Sequence, residues 1–136
     1  MNIEPLKIGK RVSLSRAVTE EDIESFAKLS LDRNPVHFDE EFASRTIFGR
    51  RIAHGGIGDA LVSGAPTRLM GDGNIWLSAS MKFEEPIHIG DQLHCALTVS
   101  DIDRRRVASI DVEIANSRGE IVISGSIQSM RFVSRK

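Results

Sequence analysis

Apolar positions along the chain follow a helical period first and a strand period afterwards. Val12 and Leu14 mark a short strand, and then Ile23, Phe26 and Ala27 recur at helical spacing behind Thr19, with Asp22 three residues after it in the manner of an N-cap. This predicts a helix over about 20–30. Asn34-Pro35 interrupts the pattern, because proline fixes its own φ and disfavours the helical region for the residue before it. The resulting turn carries Asp32 and His37. Asp39 is placed to cap a short helical piece through Phe42 and Ala43, and Arg45 to Arg51 reads as a basic, glycine-containing loop. From His54 to about Leu69, Ile57, Ala60, Leu61, Gly64 and Ala65 again keep helical spacing. Several glycines in one helix imply packing or access demands that override propensity, as in a helix buried against a sheet.

Beyond Gly71-Asp72-Gly73 the period becomes two. Ile75, Leu77, Ala79, Met81 and Phe83 alternate with Trp76, Ser78, Ser80 and Lys82, which predicts a half-buried strand. Leu93 to Val99, Ala108 to Ile114 and a run from Ile121 to about Phe132 repeat the pattern. With turns at Pro86 to Asp91, Asp101 to Arg105 and Asn116 to Gly119, these strands are expected to be successive antiparallel neighbours. One long helix against a mostly antiparallel sheet is an α+β architecture.

Composition narrows the classes. A chain of 136 residues, 40% hydrophobic and 27% charged, is that of one ordinary globular domain. A net charge of -1 spread along the chain gives no field to draw it to nucleic acid or anionic lipid, so any anionic ligand must meet a local patch. Met1 to Pro5 lacks the layout of a secretory signal and no apolar run reaches membrane-spanning length, so the expected compartment is the cytoplasm, with no membrane partner. A single cysteine, Cys95, agrees with a reducing interior and excludes an internal disulfide. It alternates with Leu93 and Leu97, as a core residue does.

The chemistry concentrates near the middle of the first half. Asp32-Arg33-Asn34-Pro35-Val36-His37 puts a carboxylate and an imidazole on one stiffened turn, and His54-Gly55-Gly56 follows at the start of the glycine-dotted helix. Such a pair can exchange a proton, and a helix start supplies N–H groups for a developing negative charge. The bland alternative is an Asx-type turn beside a surface histidine. His54 reads as a histidine bonded to backbone. His88 and His94 have no partner at metal-ligand spacing, and no metal site is expected. Arg104-Arg105-Arg106 reads as a solvated hairpin tip, whereas Arg45, Arg50 and Arg51 lie nearer the pair and are the candidates for holding a substrate phosphate. Trp76, facing opposite Ile75 and Leu77, serves a dimer contact, a tunnel wall or ordinary packing.

Asp32-x-Asn34-Pro35-x-His37, then Phe48, Ile52, His54-Gly55 and Ser63, with Phe83-Glu84-Glu85-Pro86 and Ile89-Gly90-Asp91 downstream, resembles the MaoC-like (R)-specific enoyl-CoA hydratases. The resemblance covers nearly the whole chain and implies one hot-dog domain over residues 1–136, a curved antiparallel sheet wrapped around a central helix, in a homodimer. It implies that Asp32 and His37 bind the water added to a 2-enoyl thioester, that the Gly55 N–H is the oxyanion donor, and that Asn34 and Ser63 support the loop. Coenzyme A or acyl carrier protein then carries the substrate, and no cofactor is implied. Which of Asp32 and His37 is base and which acid stays open, as do acyl-CoA thioesterase activity and a non-catalytic acyl-thioester-binding subunit. Two positions depart from the family pattern: Arg51 where relatives often have proline, and Gly56 where they often have methionine. Arg51 is expected to change how the loop meets a coenzyme A phosphate, and Gly56 to widen or loosen the region beside the oxyanion donor.

Overall fold

The computed structural model describes residues 5–133; Met1 to Glu4, read above for a signal, lie outside them. The chain runs β1 (Arg11–Ala17), α1 (Glu20–Ser30), α2 (Pro35–Phe38), α3 (Glu40–Ser44), α4 (Gly56–Gly64), α5 (Pro66–Met70), β2 (Asn74–Phe83), β3 (Gln92–Ile102), β4 (Ala108–Asn116) and β5 (Ile121–Arg131). The α+β architecture and the first helix agree with the pattern of the sequence. Thr19 and Asp22 form a reciprocal capping box, each side chain accepting from the other's backbone N–H, at 3.1 and 2.9 Å. Leu31 closes α1 in the left-handed region, with its N–H on the Ala27 carbonyl.

The predicted helix over 54–69 is two helices. Pro66 has no N–H to donate and its ring crowds the preceding turn, so α4 ends at Gly64 and proline restarts the chain as the first residue of α5. Pro35 restarts the chain in the same way. α1 has already closed at Leu31, and Asn34-Pro35 starts α2, with Pro35 at its first turn and Asn34 as its cap.

All strand pairs are antiparallel, in the order β1-β3-β4-β5-β2. The expectation that β2 and β3 are neighbours is therefore wrong. Hydrogen bonds of the intervening segment go elsewhere: Glu84 N–H to the Val122 carbonyl, the Ile87 carbonyl to Ala53 N–H, and Gly90 with Asp91 to Val18. Residues 84–91 thus cross from the β2 and β5 side of the sheet past the start of α4 to the end of β1, where a hairpin would need those same groups. α4 lies on the inner face of the sheet. Val62, Leu69, Leu93, Cys95, Leu97, Ile110, Ile114, Ile123 and Ile127 are 0–1% exposed and form one core. Burial pushes the Cys95 thiol up to about 11, which suits packing and not nucleophilic chemistry.

β2 differs from its predicted alternation. A bulge between Trp76 and Ser78 changes the phase of the strand, so Trp76 packs on the core while Ile75 and Leu77 are exposed; beyond the bulge Ala79, Met81 and Phe83 pair with Ile127, Gly125 and Ile123, and of these three Met81 packs on the core while Ala79 and Phe83 stay exposed. For Trp76 this is ordinary packing.

Candidate active site

Local hydrogen bonds build the turn before the tertiary structure uses it. Asp32 Oδ1 accepts from Asn34 N–H at 3.0 Å, and Asn34 Oδ1 accepts from Val36 N–H at 3.1 Å, so two successive Asx turns lead into α2. This leaves Asp32 Oδ2 uncommitted. Asn34 thus caps α2 with its own side chain. One turn of α2 places His37 at 7% exposure, where Nδ1–H donates to the Ile52 carbonyl at 2.8 Å. With that nitrogen engaged, Nε2 is the free one. Nε2 stands 3.9 Å from Asp32 Oδ2, too far for a hydrogen bond and close enough for one water to touch both.

His54 completes the cluster. It is 2% exposed, Nε2–H donates to the Asp32 carbonyl at 3.0 Å, and its ring stacks on that of His37 with centroids 3.8 Å apart and planes at 29°. The backbone bond agrees with the sequence reading; the stacking had no signal in the sequence, because the two rings are 17 positions apart. Burial is the main reason that the His54 pKa is lowered, and a charge on His37 acts in the same direction. Asp32, His37 and His54 offer possible metal-ligand atoms within 4.8 Å of one another. Both rings, however, are fixed by bonds to carbonyls, and stacked rings hold their lone pairs in separate planes. They do not converge on an ion at zinc distances of about 2.0–2.1 Å without reorientation.

α4 begins directly behind His54. Neither the Gly55 nor the Gly56 N–H has an acceptor among the described residues, so both are open donors at a helix start. A Cβ on Gly55 would lie 2.7 Å from the Phe83 ring. The backbone and that aromatic wall therefore meet with no room for a side chain. A cavity of about 430 Å³ opens here, lined by His37, Phe48, Ile52, Gly55, Gly56 and Phe83, with Glu84, Glu85 and Pro86. Phe83, Glu84 and Glu85 were in the family pattern but had no assigned role. A second cavity of about 340 Å³, between β1, α1 and α4, is walled by Leu14, Phe26, Leu29 and Leu61 and holds neither member of the proton pair.

Two expectations about substrate contacts are corrected. Gly56 does not widen the site, because the Phe26 ring of α1 occupies the space a side chain there would fill, with its Cε2 atom 2.7 Å from an ideal Cβ. Arg51 is not free for a phosphate. Its Nε–H donates to the His37 carbonyl at 2.7 Å, and its two terminal nitrogens hold Glu20 at 2.7 and 2.9 Å. The Arg51 side chain, 17% exposed, is a strap between α1 and α2. Arg45 is exposed and paired with Glu41 at 2.9 Å, Arg50 is exposed, and Ser63 lies on the exposed side of α4, two turns beyond Gly55. The structure brings none of these three to the Asp32 and His37 pair. Asp59, which shares the Gly55 face of α4, has its carboxyl pKa raised by burial.

Residues 5–121 match the MaoC like domain. The chain belongs to this family. The MaoC-like chain is 36% identical over 128 residues to the (R)-specific enoyl-CoA hydratase of Rhodospirillum rubrum, covering 93% of this chain and 89% of that one. It is 39% identical over 106 residues to the 3-hydroxybutyryl-CoA dehydratase of Methylorubrum extorquens, covering 76% and 68%. Among solved structures it is similar to the (R)-hydratase from A. caviae involved in PHA biosynthesis, with a TM-score of 0.90, 30% identity, and coverage of 95% and 99%. The five-stranded antiparallel sheet around α4 is thus the hot-dog fold of the MaoC-like hydratases.

The strap yields a prediction that separates positioning from phosphate binding. Arg51→Ala is expected to lower kcat about tenfold while KM for a coenzyme A thioester stays within about twofold. A raised KM with unchanged kcat would instead assign Arg51 to the carrier. The hydrogen bond from Arg51 is the main reason that the Glu20 pKa is lowered. A carboxylate so depressed adds stability above its unfolded pKa and loses it as pH falls through the folded value, so the strap weakens only in acid. Glu20 is 64% exposed, which keeps that contribution small.

Proposed function

We propose that this protein is an (R)-specific enoyl-CoA hydratase, adding water reversibly and with syn geometry to trans-2-enoyl thioesters to give (R)-3-hydroxyacyl thioesters. The observation that carries the reading is the gap of 3.9 Å between Asp32 Oδ2 and His37 Nε2 beside the open N–H groups of Gly55 and Gly56. In the forward direction the water oxygen bonds to C3 while the pair takes up its proton, and a proton is delivered to C2. Electron density passes through the thioester carbonyl in between, where a Gly55 N–H stabilises the enolate-like oxygen. Water and proton come from groups on one turn, hence from one face of the double bond, and this supports syn addition. The carbonyl stays bonded to sulphur throughout, and no redox step or cofactor is required. Coenzyme A or acyl carrier protein enters as part of the substrate.

Loss of enoyl absorbance with crotonyl-CoA, followed by chiral analysis of the product, tests the assignment. Release of free thiol without loss of the enoyl chromophore would replace it with thioesterase activity, and binding with neither signal would leave a non-catalytic subunit.

The homodimer reading is supported by β2, an edge strand on which Ile75 and Leu77 are both about half exposed. Light scattering in solution decides between one chain and two. No described helix is long and apolar enough to cross a membrane. The dispersed charge supports a reading without nucleic-acid partners, and the lone buried cysteine supports a cytoplasmic setting.

A further inference from the structure

The Asp32 and His37 pair is made from segments that hold each other only loosely. Asp32 sits on an exposed turn, and no direct hydrogen bond joins its carboxylate to His37. A spacing suited to one bridging water must therefore be imposed from outside the pair. His54 contacts both members. It touches Asp32 through the backbone, by the Nε2–H bond of 3.0 Å to the carbonyl, and His37 through the stacked ring at 3.8 Å. Phe26 lies against the same ring at 4.7 Å and Phe38 meets it edge-on at 6.0 Å, while Arg33 stands 4.6 Å over the Phe38 ring. Those neighbours leave the imidazole little freedom to rotate. Its own backbone leads straight into Gly55, so one residue joins the turn of Asp32, the helix of His37 and the helix start that presents the N–H donors.

We infer that His54 is a positioning residue for the hydration step: its hydrogen bond to the Asp32 carbonyl and its stack on His37 together set the distance across which water is held, relative to the Gly55 N–H. This rests on the hydratase reading of the same site. The His54 side chain takes no part in proton transfer, because Nε2–H is already bonded to a carbonyl and Nδ1, though it has no hydrogen-bond partner among the described residues, is shut off from solvent by the surrounding rings. Burial also favours its uncharged form.

Two substitutions separate the two contacts. His54→Gln keeps a donor that can reach the Asp32 carbonyl and removes the ring; His54→Phe keeps a ring on His37 and removes the donor. Each is expected to lower kcat for crotonyl-CoA by about 10- to 100-fold with KM within about threefold, since misplacement of reacting groups by about 1 Å costs on that order. His54→Ala, which loses both contacts, is expected to fall at least as far as the worse of the two. Binding of butyryl-CoA, which has no double bond to hydrate, should be retained by the folded variants. In NMR spectra the His37 ring resonances are expected to move in His54→Gln, where the stacked ring is gone, far more than in His54→Phe. If both single variants hydrate within threefold of the wild type, or if KM rises in step with the fall in kcat/KM, the positioning role is overturned. A wild type that hydrates no enoyl thioester overturns the parent reading instead; unchanged His37 resonances in His54→Gln overturn the stack whatever the activity, and still apply should one variant fail to fold.

Discussion

Asp32→Asn is expected to lower kcat for hydration of crotonyl-CoA by about two to four orders of magnitude, the range that a positioned acid or base contributes. Asparagine has nearly the same shape, and its carbonyl oxygen can still accept from the Asn34 N–H as Asp32 Oδ1 does at 3.0 Å, so the turn and its approach to α2 should survive. What is lost is the negative charge and the acceptor that faces His37 Nε2. His37→Asn makes the complementary change. Its amide can still donate to the Ile52 carbonyl in place of Nδ1–H, but nothing replaces Nε2. Both variants should melt near the wild type and still bind a saturated thioester. Because the two groups act on one water, the double variant is expected to be little worse than the more damaged single one. Either variant keeping more than a tenth of wild-type turnover would remove the pair from the mechanism. The activity lost would then have to be sought in the Gly55 donor and in substrate positioning alone.

Gly56→Met, which restores the residue common in the family, is expected to destabilise this protein by about 1–3 kcal/mol, the usual cost of overfilling a packed site. An ideal Cβ at position 56 already falls on the Phe26 ring, before the rest of a methionine is added. That ring cannot simply withdraw, since it also rests on the His54 ring at 4.7 Å. The clash is therefore expected to appear both as a lower melting temperature and as reduced turnover, through displacement of His54. Combining it with Phe26→Ala should recover part of both losses, because the methionine then fills the space the ring leaves. A double-mutant cycle in denaturant measures the coupling, expected at about 1 kcal/mol or more in the compensating direction. Strict additivity would mean that Phe26 yields without cost, and that Gly56 after all leaves usable room.

Much of the site was legible in the chain because its parts are local. Asp32, Asn34 and His37 fall within six positions, and the hydrogen bonds that shape their turn run between neighbours two apart. The helix cap at Thr19 and the strand alternation of β3 and β4 are legible for the same reason. Arg51 was misjudged because its chemistry is ambiguous in sequence: a basic loop residue serves a phosphate or a carboxylate equally well. The carboxylate it found, Glu20, lies 31 positions away. Gly56 was misjudged because a missing side chain says nothing about which neighbour takes its place. The order of the strands failed for a related reason, since the turn residues at 86–91 are compatible with a hairpin, and only the competition for Val122, Ala53 and Val18 turns them into a crossing.

By itself, then, the sequence determined the helix and strand periods, the proline breaks, the aspartate–histidine turn and the glycine helix start, all of which depend on residues a few positions apart. Tertiary structure alone decided that β2 pairs with β5, that Phe26 fills the space at Gly56, that Arg51 straps α1 to α2, and that His54 lies on His37 while holding Asp32. Those contacts join residues 14 to 57 positions apart, and they arise where buried polar groups and ring surfaces must find partners once the chain has closed around α4. The distance across which the pair can hold a water belongs to the second group. Its chemistry is written in one short turn, and its geometry is set by the rest of the fold.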